Sequence, residues 1–278
     1  QILVGRNLGI LTTTGRTGDI QDLVVDVLGV TTEISGRNMD RSSFDSDISI
    51  TTLTATGSIR VSSVTTGLLT TATVAHNLSS SRVSVAGPLT TLTVGDAIIN
   101  SAVSSTGPDG RIDKITARSG MSGSIYSAGP IDTIEVTAGD MSVAITTVTN
   151  QRGDAGNIKL LKASRDLNIA TDIGGTVDQM VPGRHIGRPS NPGVILVPGG
   201  ITLVDASHGQ VYSDLRIGQT LSQILIGAVP NLPGNSQVGL GSIIAFGRIE
   251  TATIFGDFGG KISSASGGIG IVHITDGS

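Results

Sequence analysis

Apolar residues recur along the chain at three fixed steps. In "GPLTTLTVGD" (87–96) they stand at Leu89, Leu92 and Val94, and in "GPIDTIEVTAGD" (129–140) at Ile131, Ile134 and Val136. The same 0, +3, +5 steps select Ile20/Leu23/Val25, Ile50/Leu53/Ala55, Leu69/Ala72/Val74, Ile112/Ile115/Ala117 and Ile158/Leu161/Ala163. They also select Ile201/Val204/Ala206, Leu221/Ile224/Ile226, Ile249/Ala252/Ile254 and Ile269/Val272/Ile274, giving eleven copies in all. Positions +3 and +5 share a face at period two, the signature of a strand, whereas the step from 0 to +3 breaks that period and demands a bend. A second apolar position follows near +9 or +10, as at Ile59, Leu78, Ile98, Met121, Met141, Leu167, Val211 and Phe258. A third follows near +13 or +14, as at Val64, Val83, Val103, Ile125, Ile145, Leu215 and Ile262.

Two or three short strands in each unit of about 20 residues, with bends between them, predict one coil of a parallel β-solenoid. The pattern predicts an all-β, single-stranded parallel β-helix of 11–12 coils, running through residues 1–278 as one domain; right-handed, the commoner form of such helices, is the hand expected. Glycine stands two residues before most copies, for example at Gly67, Gly87, Gly129 and Gly199, which suits a corner of positive φ or of tight backbone approach. No 3.6-residue period persists, and Val, Thr and Gly are too frequent for helix. Two intervals are long, and both are rich in Pro and Gly. They are read as loop insertions at 175–200 and 227–242.

Composition narrows the picture. Hydrophobic residues make up 38% of the 278 but aromatics only 2%, so the core must be aliphatic. Charged residues are 14%, the net charge is −4, and no Lys/Arg run suggests nucleic acid. No apolar run approaches the ~20 residues of a membrane span. With no cysteine, disulfides and thiol chemistry are excluded. This Cys-free, Thr- and Gly-rich composition fits a protein of bacterial-type secretion, extracellular or on the cell surface. The first residues and the last, "GGIGIVHITDGS", both read as coils in progress, with Val4 and Leu8 at +5 and +9; this suggests a segment of something longer, or ends that stack on other copies.

If +3 and +5 point inward, +2 and +4 point outward. Three successive copies carry Thr there: Thr52/Thr54, Thr71/Thr73 and Thr91/Thr93. Such an array resembles the face of ice-binding solenoids, but the next copies give Lys114/Thr116 and Thr133/Glu135, and Thr is also a common exposed strand residue. Leu160, Leu203, Leu225 and Ile271 are unexpectedly apolar for outward positions and form a candidate contact surface, either covered by an insertion or open to a partner. At +4 the series Glu135, Lys162, Asp205 alternates in charge if the long interval merely loops out.

Chemistry-bearing motifs are sparse. The four histidines lack metal-ligand spacing, and neither a nucleophile elbow nor a phosphate loop occurs. Acids recur near coil corners at Asp96, Asp140, Asp166 and Asp257. Turn aspartates usually cap their own backbone, and stacked ones suit Ca²⁺, the one cofactor the pattern suggests. A polysaccharide enzyme of this architecture would need clustered acids or arginines and stacking aromatics, and this chain has two Tyr, four Phe and no Trp.

The coil style of "GPIDTIEVTAGDMSVAI" and "GRIDKITARSGMSGSI" resembles the glycine-cornered β-solenoid repeats of large secreted bacterial surface and adhesin-type proteins. The resemblance implies an extracellular structural or adhesive role and assigns no catalytic or cofactor residues. The expected function is a non-enzymatic building element of a filament, sheath or surface layer, partnered by copies of itself or adjoining solenoid segments, with cell-surface glycans as further candidates. The alternative is a polysaccharide-binding or polysaccharide-cleaving β-helix.

Overall fold

The computed structural model describes residues 1–13, 18–190, 192–227, 241–256 and 259–275. It is a β-solenoid in which all paired strands run parallel, arranged in two sheets. The first face is a sheet of 13 strands, one per coil; the second face is a sheet of 17 strands that includes two-residue corner strands such as Met39–Asp40 and Ile59–Arg60. Each coil therefore pairs with the coil before and after it, about 4.8 Å away, and needs no partner strand within itself.

On the first face the three-step pattern is literal. Leu69 pairs with Ile50 and Leu89, Ala72 with Leu53 and Leu92, and Val74 with Ala55 and Val94. These residues are essentially inaccessible to solvent. On the second face Val25, Phe44, Val64, Val83, Val103, Ile125 and Ile145 form one continuous inward column. Thr171 follows in that column, and its hydroxyl is satisfied by the Leu196 backbone, accepting from its N–H at 3.0 Å and donating to its carbonyl at 2.9 Å.

The structure has 13 coils where the three-step pattern marks 11 copies: three coils are added, and one copy proves to lie on the other face. Coils starting at Thr31 and Val177 are real: Thr31, Ile34 and Gly36 stack on Ile50, Leu53 and Ala55, and Val177, Met180 and Pro182 stack on Ile158, Leu161 and Ala163. Their inward letters include Thr, Gly and Pro, so an aliphatic rule passes over them. The stretch 175–200 is thus not an insertion loop, because it supplies the strands Val177–Pro182 and Val194–Val197 to the two sheets. Leu8 and Leu11 begin a further coil, and Val4 lies on the second face beside Val27.

The copy Ile20/Leu23/Val25 is on the wrong face. Ile20 pairs with Met39 and Val25 with Phe44, both in the second sheet. The second face happens to repeat the +5 step, as in Met39 to Phe44 and Ile59 to Val64, so one pattern fits both faces. Of the other interval, 227–242, residues 228–240 lie outside the described residues, as do Asp257 and Phe258.

The corner glycines answer to close approach. A Cβ on Gly87 would lie 2.7 Å from the Gly67 carbonyl oxygen, and one on Gly29 2.6 Å from that of Arg6. Neither glycine has positive φ. The preceding coil passes too near for any side chain.

Candidate functional site

Corners are where a solenoid has most to lose. Backbone N–H groups there leave the ladder, and a buried unpaired one costs about 1–3 kcal/mol. Three sets of side chains meet this need by reaching to the next coil. At the turn into the first face, Asn7 Oδ1 accepts from Val30 N–H at 3.0 Å and Asn157 from Thr176 at 2.8 Å; at the turn into the second, Asn38 accepts from Ser58 at 2.9 Å and Asn77 from Ala97 at 3.1 Å.

At the second-face corner of the N-terminal coils the device is a serine ladder. The chain bends through one left-handed residue per coil: Asp22, Arg41, Val61, Ser80 and Asn100, with φ between 47° and 51°. The residue after each bend points inward. Ser42 Oγ accepts from Leu23 N–H at 3.2 Å, Ser62 from Ser42 at 3.2 Å, Ser81 from Ser62 at 3.1 Å and Ser101 from Ser81 at 3.2 Å. Each hydroxyl donates to a carbonyl two residues back, Ser62 to Arg60 O at 2.8 Å for example. All four serines are buried.

In the C-terminal coils an ionisable ladder occupies the position just before the inward column Met141, Leu167, Ile186, Val211, the place that Asn38 and Asn77 hold before Met39 and Leu78 in the same column. Asp140 Oδ1 accepts from Asp166 N–H at 3.2 Å, Asp166 Oδ1 from His185 N–H at 3.4 Å, and His185 Nδ1 from Gln210 N–H at 2.9 Å. Gln210 Nε2 donates onward to Gly227 O. Two arginines close over the acids: Arg184 lies 3.2 Å from Asp166 and Arg188 2.7 Å from Asp140. The Asp166 side chain is only 10% exposed, so its pairing matters more than that of a surface ion pair.

His185 packs edge-on to Tyr212, with ring centroids 5.3 Å apart. Its role as acceptor at Nδ1 places the proton of the neutral ring on Nε2. Burial pushes the His185 pKa below its ordinary value; Asp166 opposes the shift and Arg184 adds to it. Burial and then the Asp166 charge push the Tyr212 hydroxyl up. This is the densest polar cluster among the described residues. Its acids are already engaged by backbone N–H groups and arginines, so the arrangement holds coils in register.

The outward Thr residues align as the repeat requires. Thr52, Thr71 and Thr91 pair in one column, and Thr54, Thr73 and Thr93 in the next. The second column is longer than the sequence pattern suggests: Thr12 and Ser35 precede it and Thr116 follows, giving six hydroxyl residues in a row. The coil at Thr31, invisible to an aliphatic rule, is what joins them.

The apolar outward residues do not form a stripe. Leu160 stands between Thr133 and Gln179, Leu203 between Gln179 and Gln223, and Leu225 between Asp205 and Thr253, while Ile271 follows Thr251 on the last coil. Glu135 and Lys162 do pair, at 3.0 Å, but the coil at Val177 inserts Val181 after Lys162, so Asp205 is not the next member. Of the corner acids, Asp96 meets His76 Nδ1 at 3.0 Å, and Asp140 and Asp166 belong to the ladder above. Among the described residues no group of three or more His, Asp or Glu could hold a metal ion. Sequence reasoning missed the roles of Arg184, Arg188, Tyr212 and Gln210; the signal was that His185 and Gln210 share the position of Asp140 and Asp166 on successive coils, with the other three beside it, readable only once the coil at Val177 is recognised.

No protein-family model, no curated protein and no solved structure matches this chain.

Proposed function

We propose that the chain is a non-enzymatic structural solenoid, a building element of an extracellular filament, sheath or surface layer, which stacks coil on coil with further copies of itself. The observation that carries this reading is the unbroken register of the described coils, in which Ile50, Leu69, Leu89, Ile112, Ile131 and Ile158 stack as one inward column. Ile269, Val272 and Ile274 continue the inward columns on the last described coil. A coil that carries these columns is complementary to any coil of the same register. Each apolar square ångström so covered is worth about 25 cal/mol. Sedimentation velocity tests the reading on the whole chain: association that rises with concentration and is lost in Val272→Asp supports it. A chain that stays monomeric at the highest attainable concentration refutes it.

A second reading, a polysaccharide-binding or polysaccharide-cleaving solenoid, draws on the convergence of Asp140, Asp166, Arg184, His185 and Arg188. A glycan array together with a screen for lyase and hydrolase activity separates the two: binding or cleavage that falls in Arg188→Ala would favour it.

A further inference from the structure

The outer side of the second face changes character along the axis. Over the N-terminal coils its central outward column reads Leu3, Asp26, Asp45, Thr65, Ser84, Ser104, with acids but no base. Over the C-terminal coils the same column reads Thr146, Asp172, Leu196, Arg216, Ile244. Two residues farther along the chain, just past the ends of these strands, stand Val148, Gly174, Pro198, Gly218 and Phe246. Leu196 and Phe246 are 41% and 65% exposed, and a shallow apolar hollow lies among Leu196, Pro198, Ile244 and Phe246.

The order of these residues is self-complementary. Asp172 and Arg216 sit one coil to either side of Leu196, so their backbones are about 10 Å apart along the axis. No ion pair of either is present among the described residues. A second copy, turned about a two-fold axis that runs parallel to the strands over Leu196, presents its coils in reverse order. Asp172 then faces Arg216 of the second copy, and Arg216 faces its Asp172. The same rotation sets Phe246 over Val148 and Leu196 over Leu196. Isologous contacts have this property, each residue meeting its mirror position in the list.

We propose that this patch is a lateral docking surface for a second copy of the chain, packed side by side and antiparallel. Five coils of about 4.8 Å by four residues of about 3.3 Å cover about 300 Å² per partner, below the ~800 Å² of a standard stable interface. The contact is therefore weak between single molecules and strong only where solenoids already lie side by side, as multivalent contacts are. It does not rest on end-to-end stacking, which would use Ile269, Val272 and Ile274.

Charge reversal with rescue is the test. Sedimentation equilibrium of the whole chain should show Asp172→Arg and Arg216→Asp each weakening lateral association about tenfold or more, because two like-charge contacts are created per pair. The double variant Asp172→Arg/Arg216→Asp should return to within about threefold of the parent, since the charges are merely exchanged. Because the chain has no cysteine, Leu196→Cys offers a second readout that needs no stable complex. A short bis-maleimide should link two Leu196→Cys chains much faster than two Ser84→Cys chains, whose position is on the same face but outside the patch. Equal linking of both, or a double variant no better than the singles, would overturn the proposal. Val272→Asp should leave the Leu196→Cys linking unchanged, which separates this contact from end stacking.

Discussion

Two corners of the solenoid solve one problem with different chemistry. At the bend within the second face, the N-terminal coils are held by Ser42, Ser62, Ser81 and Ser101, neutral hydroxyls that each accept one backbone N–H and donate to a carbonyl. At the turn into the second face, the C-terminal coils are capped by Asp140, Asp166 and His185, with Arg184 and Arg188 balancing the acids. Serine needs no counter-charge and fits a narrow bend, so the ladder is compact and indifferent to pH. Carboxylate and imidazole make stronger or longer reaches, but they bring charge into a partly buried site and so depend on partners and on protonation. The difference teaches that register in such a fold is specified twice, by the aliphatic columns and by corner caps, and that the caps differ in chemistry from one corner to another.

The largest expected effect is on the ionic corner. Asp166→Ala removes the cap on His185 N–H and one carboxylate from both arginines, and should cost about 3 kcal/mol by chemical denaturation. Ser62→Ala, its counterpart in the neutral corner, should cost about 1–2 kcal/mol, by orphaning the Ser42 N–H alone. Equal losses would mean that the ion pairs add nothing to the cap.

The pH response sharpens the same contrast. His185 must be neutral at Nδ1 to accept from Gln210, and its folded pKa is depressed, so the contribution is present above about pH 6.5, the ordinary imidazole value, and is lost as pH falls through the folded pKa. Amide hydrogen exchange, corrected for intrinsic rates, should show Gln210 losing protection in mild acid while the amides of Ser42 and Ser62 keep theirs. His185→Asn should remove that pH dependence.

Backbone strain gives a smaller effect of opposite sign. Val61 holds φ at 49°, a region that a β-branched residue occupies only at a cost. Val61→Asn should stabilise the N-terminal half by about 1 kcal/mol, and Asn100→Val, at the same place two coils on, should destabilise it by about as much. The smallest change is expected at the exposed Glu135–Lys162 pair, where Lys162→Ala should shift the unfolding free energy by no more than about 0.5 kcal/mol.

Much of the fold was legible because a stacked coil must repeat its inward letters. Leu89, Leu92 and Val94 recur as Ile131, Ile134 and Val136 since each set packs directly on its neighbours. Legibility failed where a column tolerates another residue class. Thr31 buries its hydroxyl, Gly36 lets a neighbouring side chain fill the space, and Pro182 sits at the end of its strand, so these coils escape a rule written for aliphatics. Gly29 and Gly175, two residues ahead of Thr31 and Val177, were the surviving signal. The corner ladders were less legible still. A Ser that caps a neighbouring coil and a Ser on the surface look alike in sequence, and the partners of His185 are 19 and 25 residues away. The Asp172–Leu196–Arg216 order is equally hidden, for it exists only after the coil at Val177 sets the register.

Aliphatic columns and corner caps together make a rigid rod of fixed register, the property a stacking element needs. Electron microscopy of the concentrated chain tests that directly. Thirteen coils at about 4.8 Å predict a unit rod about 60 Å long, and end-to-end stacking predicts rods at whole multiples of that length with unchanged width. A field of single-length rods at every concentration would contradict it.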